Sequence, residues 1–471
     1  MKLYNSLDRE IVDFIPLKQG NVSLYTCGPT VYDYAHIGNL RTYLFEDILR
    51  RSLEFMEYKV QHVMNVTDVG HLTDDADDGE DKMELSSRKK GMSVWEIAQF
   101  YTDAFFADCE KLNIETPHVS CRATDHIEDM ISLIKRIENA GFTYQAGGNV
   151  YFDTSKMPDY GKLALLDRQE QKAGINIAVD SNKKHPRDFV LWFTKSKFEN
   201  QTMQWDSPWG RGYPGWHIEC SAMSMKYLGE SFDIHCGGID HLSVHHPNEI
   251  AQSEAATGKK WVNYWLHGEF LLMENGKMSK SKGGFVTLQS LIDDGYDPMD
   301  YRYLVLGAHY RSQLLYSKRS LDTARTSRLN LFSKISSLVE ESGATADSSQ
   351  QGRLSAAAQS YIDQFKDDLS QDLNMPKALS RVWTSLKDNS LANGEKLAVA
   401  YEMDKVLGLG LSEIRAESSA LSNEQSELIT MRELARKNKD WAESDRIRDT
   451  LLEQGIVITD TPTGTKWSRK L

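Results

Sequence analysis

The sequence predicts an α/β chain of several units: a parallel-sheet domain split by an insertion, a helical bundle, and a small C-terminal unit. Three observations predict it. A strand, a glycine-containing loop, an amphipathic helix and a second strand follow one another from Val22 to Val66; helical periodicity dominates beyond Leu315; and the last segment combines a basic helix with a short apolar strand. At 471 residues the chain is too long for one compact core.

Val22 to Thr26 reads as a short strand that feeds the loop Cys27-Gly28-Pro29-Thr30. From Asn39 onward, Leu40, Tyr43, Leu44, Ile48 and Phe55 mark one face of a helix, and Val60 to Val66 reads as a buried strand. This order opens a Rossmann-type fold, with residues 1–114 as its first half. Residues 115–205 alternate helical segments with Gly-, Pro- and Lys-rich connections, as an insertion would. The sheet resumes near Trp216-His217-Ile218-Glu219-Cys220 and Phe232-Asp233-Ile234-His235, which gives 206–268 as the second half. Residues 269–315 carry a lysine-rich loop. Residues 316–420 form the helical bundle, broken at Ser342-Gly343 and in the Ser/Gln/Gly-rich stretch from Asp347 to Gly352. In 421–471 one strong helix precedes the strand Ile456-Val457-Ile458 and a Thr-Pro-Thr-Gly turn.

Composition removes several classes of function. Charges interrupt every apolar run before transmembrane length, and Met1-Lys2-Leu3-Tyr4-Asn5-Ser6 lacks the basic-then-apolar layout of a secretory leader. The five cysteines (Cys27, Cys109, Cys121, Cys220 and Cys236) are scattered, odd in number and without a CxxC pair. A cytoplasmic, reducing location is therefore expected, with no membrane partner. A formal net charge of −13 argues against an indiscriminate polyanion binder. A local basic footprint still permits nucleic acid, and much of the acidity sits in Asp74-Asp75-Ala76-Asp77-Asp78-Gly79-Glu80-Asp81.

Two strings carry the chemistry. His36-Ile37-Gly38-Asn39 lies between the first strand and its helix, where unpaired helix N–H groups face a ligand and suit phosphate. Gly38 lets the backbone approach closely, and the Asn39 amide can donate a hydrogen bond without carrying charge. Taken alone, HIGN is also compatible with a loop histidine before an ordinary helix cap. Lys277-Met278-Ser279-Lys280-Ser281, followed by Lys282-Gly283-Gly284, is a basic loop that could close over a triphosphate. A lysine-rich loop can equally be a solvated turn.

Together and in this order, the two strings resemble the HIGH and KMSKS signatures of class I aminoacyl-tRNA synthetases. The resemblance implies ATP binding by His36, Gly38, Asn39 and Lys280, and catalytic roles for His36, Asn39, Lys277 and Lys280. Gly237-Gly238-Ile239-Asp240 resembles the segment that supports adenosine, so Gly238 and Asp240 join the ATP set. Nearly the whole chain is similar to the cysteinyl-tRNA synthetase family. The matching strings include Tyr25-Thr26-Cys27-Gly28-Pro29-Thr30-Val31-Tyr32, Asp188-Phe189-Val190-Leu191-Trp192, the run from Pro214 to Met223, Asn248-Glu249-Ile250-Ala251-Gln252-Ser253 and His309-Tyr310-Arg311-Ser312-Gln313-Leu314.

By that resemblance Cys27, Cys220, His245 and Glu249 hold one zinc ion, and the substrate thiolate binds it. Two thiolates, an imidazole and a carboxylate make a reasonable tetrahedral set, and the i, i+4 spacing of His245 and Glu249 can align two donors on a helix. Spacing alone does not single these four out, because His235, Cys236, His241 and His246 lie close by in sequence. A sulfur-rich site would reject serine at binding, so no editing domain is needed. Cys27, Thr67 and Trp216 match positions of the cysteine pocket, although Trp216 could equally be a packed core aromatic. Asn39 replaces the second signature histidine, and Pro247 replaces a more usual glutamate in a first helical turn that tolerates it. Thr67-Asp68-Val69-Gly70-His71 also departs from the commoner family string.

The basic residues Arg432, Arg436, Lys437, Lys439, Arg446 and Arg448 are interleaved with acids, as on a solvated amphipathic helix. The resemblance instead implies an anticodon-binding domain over 421–471, with Trp467 beside Lys466 and Arg469 able to stack on an unpaired base, and a stem-contact region over 269–315. It implies a cysteine-tRNA ligase acting as a monomer on L-cysteine, ATP with Mg2+, and tRNA-Cys. A ligase passing cysteine to an amino sugar, as in mycothiol biosynthesis, has no use for the helical region and tail. A catalytically silent zinc protein that binds RNA has no use for a pyrophosphate clamp.

Overall fold

The computed structural model describes residues 1–70, 82–164, 181–195, 201–273, 276–277, 285–342, 354–415, 423–454, 456–461 and 464–469. They form two compact units. The first comprises residues 1–325, 362–381 and 405–409; the second comprises 326–361, 382–404 and 410–471.

In the first unit a hairpin of β1 (Lys2–Asn5) and β2 (Glu10–Asp13) precedes β3 (Asn21–Thr26), β4 (Lys59–Val66) and β5 (Val119–Arg122). An antiparallel sheet follows, built from β6 (Thr143–Ala146), β7 (Asn149–Phe152), β8 (Phe189–Phe193) and β9 (Tyr213–Pro214) in that order. Strands β10 (Phe232–Gly238) and β11 (Val262–Gly268) then return to the first sheet, whose order is β11-β10-β3-β4-β5 with every neighbour parallel. All seven residues of β10 are buried, as a central strand covered on both faces requires. From β3 the chain moves outward through β4, whereas from β10 it moves the other way to β11. The order reverses between these two strands, so their C-terminal ends frame a crevice.

The antiparallel part begins later than residue 115. Val119–Arg122 is the outer strand of the parallel sheet, and helix Ile127–Asn139 sends Met130, Ile134 and Ile137 into the core shared with Tyr25, Val63 and Phe232. A strand of four residues, Val-Ser-Cys-Arg, is too short to show a period. Beyond β11, a small sheet joins β12 (Leu271–Met273), β13 (Gly276–Lys277) and β14 (Leu314–Tyr316).

One buried cation ties the first unit together. Arg302 is fully buried; Nη2 donates to Asp47 Oδ2 at 2.7 Å, Nε to the Leu407 carbonyl at 2.6 Å, and Nη1 to the carbonyls of Leu112 and Asn113 at 2.9 and 3.0 Å. Arg302→Met would remove this donor from the Leu112 and Leu407 carbonyls, although Arg51 still pairs with Asp47 at 2.9 Å and donates to the Asn113 carbonyl at 2.9 Å. The expected loss is about 3 kcal/mol, read from the urea midpoint; an unchanged midpoint would show that the network is dispensable.

A buried histidine adds a pH dependence. His62 Nε2 hydrogen-bonds with the Thr26 hydroxyl at 2.9 Å, and among the described residues its Nδ1 has no hydrogen-bond partner. Burial, with Arg50 and His118 nearby, lowers its pKa to about 3. Between that value and the usual 6.5 the unfolded chain binds a proton that the folded chain refuses, so stability falls as pH drops through this window. Between pH 7 and 5 the protein should lose roughly 2 kcal/mol more than a His62→Gln variant in urea titrations.

The second unit ends in helices Asn423–Lys437 and Trp441–Glu453 and in the hairpin β15 (Ile456–Thr461) and β16 (Gly464–Arg469). The single basic helix expected here is two helices. Lys439 takes φ 57°, and Asp440 starts the second helix by accepting from Glu443 N at 3.1 Å. Arg432 is buried and so leaves the exposed basic set. Arg446 pairs with Glu443 at 2.7 Å, and Arg436 lies 5.8 Å from the centre of the Trp441 ring. Trp467 is paired with Ile458 in the backbone register of the hairpin. Among the described residues no helix is long and apolar enough to cross a membrane.

Candidate active site and metal centre

The crevice between β3 and β10 is lined by His36 and Asn39 of the first string and by Gly238 and Asp240. Cys27 follows β3 directly, and its N–H donates to the Cys236 carbonyl of β10 at 3.1 Å. Gly28 N–H donates to Asn65 Oδ1 at 2.8 Å. A β-carbon at Gly28 would stand 1.6 Å from the Asn65 carbonyl oxygen, so the loop hugs β4 in a way that excludes any side chain.

Cys220 lies on helix Trp216–Leu228, and His245 and Glu249 lie one turn apart on helix His245–Thr257. One donor atom from each of Cys27, Cys220, His245 and Glu249 lies within 4.8 Å of the others, and all four residues are buried. Pro247 sits in the first turn without breaking the alignment, since His245 Nε2 stands 2.9 Å from Glu249 Oε1. That contact lacks hydrogen-bond geometry, and Oε1 is a buried carboxylate oxygen with no hydrogen-bond partner among the described residues. A buried carboxylate oxygen without a hydrogen bond, facing two thiols and an imidazole, is what a cation would satisfy.

The neighbours orient these donors. His217 Nδ1 meets His245 Nδ1 at 2.9 Å, which turns His245 Nε2 inward. His235 Nε2 holds Glu249 Oε2 at 2.9 Å and leaves Oε1 aimed at the cluster. A second buried set, Cys27, His235, His246 and Glu249, is equally compact. Its imidazoles bond to members of the same set, His235 to Glu249 and His246 Nε2 to Cys27 Sγ at 3.4 Å, and His246 Nδ1 also meets His267 Nε2 at 2.8 Å. His267 in turn meets the Ser6 hydroxyl at 2.8 Å. Burial pushes the Glu249 carboxyl up, but His235 and His245 hold it down at about 2. Burial likewise lowers His245, yet Glu249 and Cys220 raise it to about 10. The hydrogen bond with Cys27 draws the Cys220 thiol below its usual range, whereas burial raises Cys27.

Cys27, His36, Asn39, Trp216, Gly238 and Asp240 line one cleft of about 270 Å³. His36 is the N-cap of helix Ile37–Phe55. Its Nδ1 accepts from Asn39 N at 3.0 Å, and Asn39 Oδ1 accepts from His36 N at 3.2 Å. With Nδ1 an acceptor, the neutral ring carries its proton on Nε2, and the Asn39 amide turns its Nδ2 hydrogens outward. A β-carbon at Gly38 would stand 3.0 Å from the His36 ring, so this glycine makes room for the cap itself. Trp216 opens its helix with its ring 4.4 Å from that of His245.

Thr67 lies outside the cleft lining: it is buried, donating to Glu219 Oε2 at 2.8 Å and accepting from Asn65 Nδ2 at 3.1 Å. Lys277 is described through its backbone, opposite Leu272 in the small sheet. Lys280 lies outside the described residues. The orienting roles of His217, His235, Asn65 and Glu219 were not readable in advance; the run Trp216-His217-Ile218-Glu219-Cys220 gave the positions of His217 and Glu219 without their partners.

A family model described as the tRNA synthetases class I (C) catalytic domain matches residues 13–326, and a second, the cysteinyl-tRNA ligase anticodon binding domain, matches residues 418–467. The chain is 51% identical to a cysteine–tRNA ligase of Treponema denticola, covering 100% of this chain and 99% of that protein. It is 48% identical to cysteine–tRNA ligase 1 of Burkholderia lata, covering 98% and 96%. Among solved structures it resembles Mycobacterium tuberculosis methionyl-tRNA synthetase bound by methionyl-adenylate, with a TM-score of 0.57 and 15% identity over 84% of this chain and 93% of that one. The last similarity bears on the fold alone.

Proposed function

Since the chain belongs to the class I cysteine–tRNA ligase family, we propose that it activates L-cysteine with ATP and transfers it to the terminal ribose of tRNA-Cys. The observation that carries this reading is one cleft that joins a buried thiol, imidazole and carboxylate cluster to a capped helix N-terminus. Cys27, Cys220, His245 and Glu249 would hold the zinc. The ion would supply a thiophilic contact that separates cysteine from serine.

His36 Nε2–H and the Asn39 amide would donate to the phosphate oxygens that gain charge as the cysteine carboxylate attacks the α-phosphorus. Asp240 would accept from ribose hydroxyls, with Gly238 clearing the approach, and Trp216 would wall the cysteine pocket. Lys277 and Lys280 would neutralise departing pyrophosphate, with Mg2+ accompanying ATP. In the second step the ribose hydroxyl takes the cysteinyl group and AMP leaves. Positioning and electrostatics suffice, with no covalent enzyme intermediate. Residues 269–315 would contact the acceptor stem and 421–471 the anticodon, in a cytoplasmic monomer.

The deciding experiment charges a tRNA-Cys transcript with labelled cysteine, with serine and a tRNA of another anticodon as controls. Cysteine-specific charging is expected. Cysteine-dependent pyrophosphate exchange without charging would move the acceptor to a small amine and overturn the tRNA assignment. A Lys280→Ala variant should slow cysteine-dependent exchange by about 10²-fold, the usual cost of a lost transition-state donor; an unchanged rate would remove Lys280 from the chemistry.

A further inference from the structure

The mouth of the cleft carries an aromatic and cationic surface that the chemistry above does not use. Tyr34 and Phe100 are 40% and 38% exposed, although both are large aromatic rings. With Tyr101 they form an edge-to-face triad: ring centres are 5.1 Å apart for Tyr34–Tyr101, 5.1 Å for Phe100–Tyr101 and 6.0 Å for Tyr34–Phe100. The Lys90 ammonium stands over the triad, 4.4 Å from the Phe100 ring, 5.0 Å from Tyr101 and 5.6 Å from Tyr34. Lys82 stands 5.2 Å from the Tyr32 ring.

This surface continues into the active cleft. Tyr32, Tyr34, Lys82 and Tyr101 line the same cavity as His36 and Asp240, whereas Phe100 lies just outside it. Helix Lys82–Lys90 ends in Arg88, Lys89 and Lys90, giving the outer rim a positive charge in a chain whose net charge is −13. Exposed rings beside lysines, leading to the point where a ribose hydroxyl must arrive, have the composition of a single-strand platform. Rings stack on any base and the ammonium groups follow the phosphates.

We propose that Tyr34, Phe100 and Lys90 form a stacking platform for the unpaired 3′-terminal nucleotides of the tRNA, delivering the terminal ribose to the cleft. The proposal rests on the tRNA reading above and adds the surface that guides the acceptor end. Stacking without base-specific hydrogen bonds suits an end whose sequence does not distinguish one tRNA from another.

The test uses the full chain with Phe100→Ala, Lys90→Ala and Phe100→Tyr. Cysteine-dependent pyrophosphate exchange should stay at the unmodified rate in all three. The KM for full-length tRNA-Cys in charging should rise roughly tenfold in Phe100→Ala, and Phe100→Tyr should restore it. Affinity for a tRNA-Cys lacking its 3′-terminal unpaired nucleotides should be the same for the unmodified protein and Phe100→Ala. Unchanged charging by Phe100→Ala would overturn the platform, as would an equal loss of affinity for the truncated tRNA. Loss of exchange would overturn it in favour of a packing role beneath the ATP site. If the unmodified protein exchanges pyrophosphate but charges no tRNA, the function reading itself falls, a result distinct from the other three.

Discussion

A Cys220→Ser protein should lose most of the zinc proposed for this site, and cysteine-dependent pyrophosphate exchange should fall by at least ~10²-fold. Replacing an outer partner of a metal ligand already costs about 10- to 100-fold, and Cys220 is proposed as a ligand itself. Serine retains the shape and removes the soft donor, so the loss would report metal chemistry rather than packing. The same variant separates the two compact donor sets. If the ion sat on Cys27, His235, His246 and Glu249, Cys220→Ser would keep its metal and His246→Leu would lose it. His217→Leu should be milder, because it frees the His245 ring to rotate without removing a donor. Metal content by atomic absorption, with exchange measured for cysteine and serine, reads all three. Full metal and full activity in Cys220→Ser would remove it from the site.

Gly28→Ala should be nearly as damaging through an unrelated cause. The added methyl would stand 1.6 Å from the Asn65 carbonyl oxygen, a backbone atom of a central strand that cannot swing aside. Either β3 and β4 separate or the loop lifts, and both movements stretch the 2.8 Å bond from Gly28 N to Asn65 and carry Cys27 with them. The expected cost is about 3 kcal/mol, the upper range for forcing a methyl into packed space. An ångström of misplacement at Cys27 would further lower kcat by roughly 10²-fold. Gly394→Ala is the matched control: nothing lies within 4 Å of its added carbon and its φ is ordinary, so urea titration should show little change. Wild-type stability and kcat in Gly28→Ala would show that the β3–β4 edge yields freely.

How much of this could be read from the sequence differs by element. The helix at Ile37–Phe55 was legible because Leu40, Tyr43, Leu44 and Ile48 repeat at its period and all four are buried. β5 was not, because four residues with a serine and an arginine carry no periodic signal; the strand exists through pairing with β4. The break at Lys439 was missed because charges continue across it, and a backbone reversal is set by local turn chemistry rather than by polarity. Arg432 looked like its basic neighbours, and only packing distinguishes a buried guanidinium from exposed ones. At the site, residue types and the i, i+4 pair were visible. What turns each imidazole was not, since His217, His235 and His267 act through partners 28, 14 and 21 residues away.

The four donors of the buried cluster come from sequence positions as far apart as 27 and 249, with an entire antiparallel sheet between them. No fragment that stops before helix His245–Thr257 contains the full set. On the ribosome, the last donor emerges after every strand of the parallel sheet except β11. Tight capture of an ion would therefore wait until Glu249 has emerged, past the midpoint of the 471-residue chain, and a bound metal would certify that distant parts of the polypeptide have found one another.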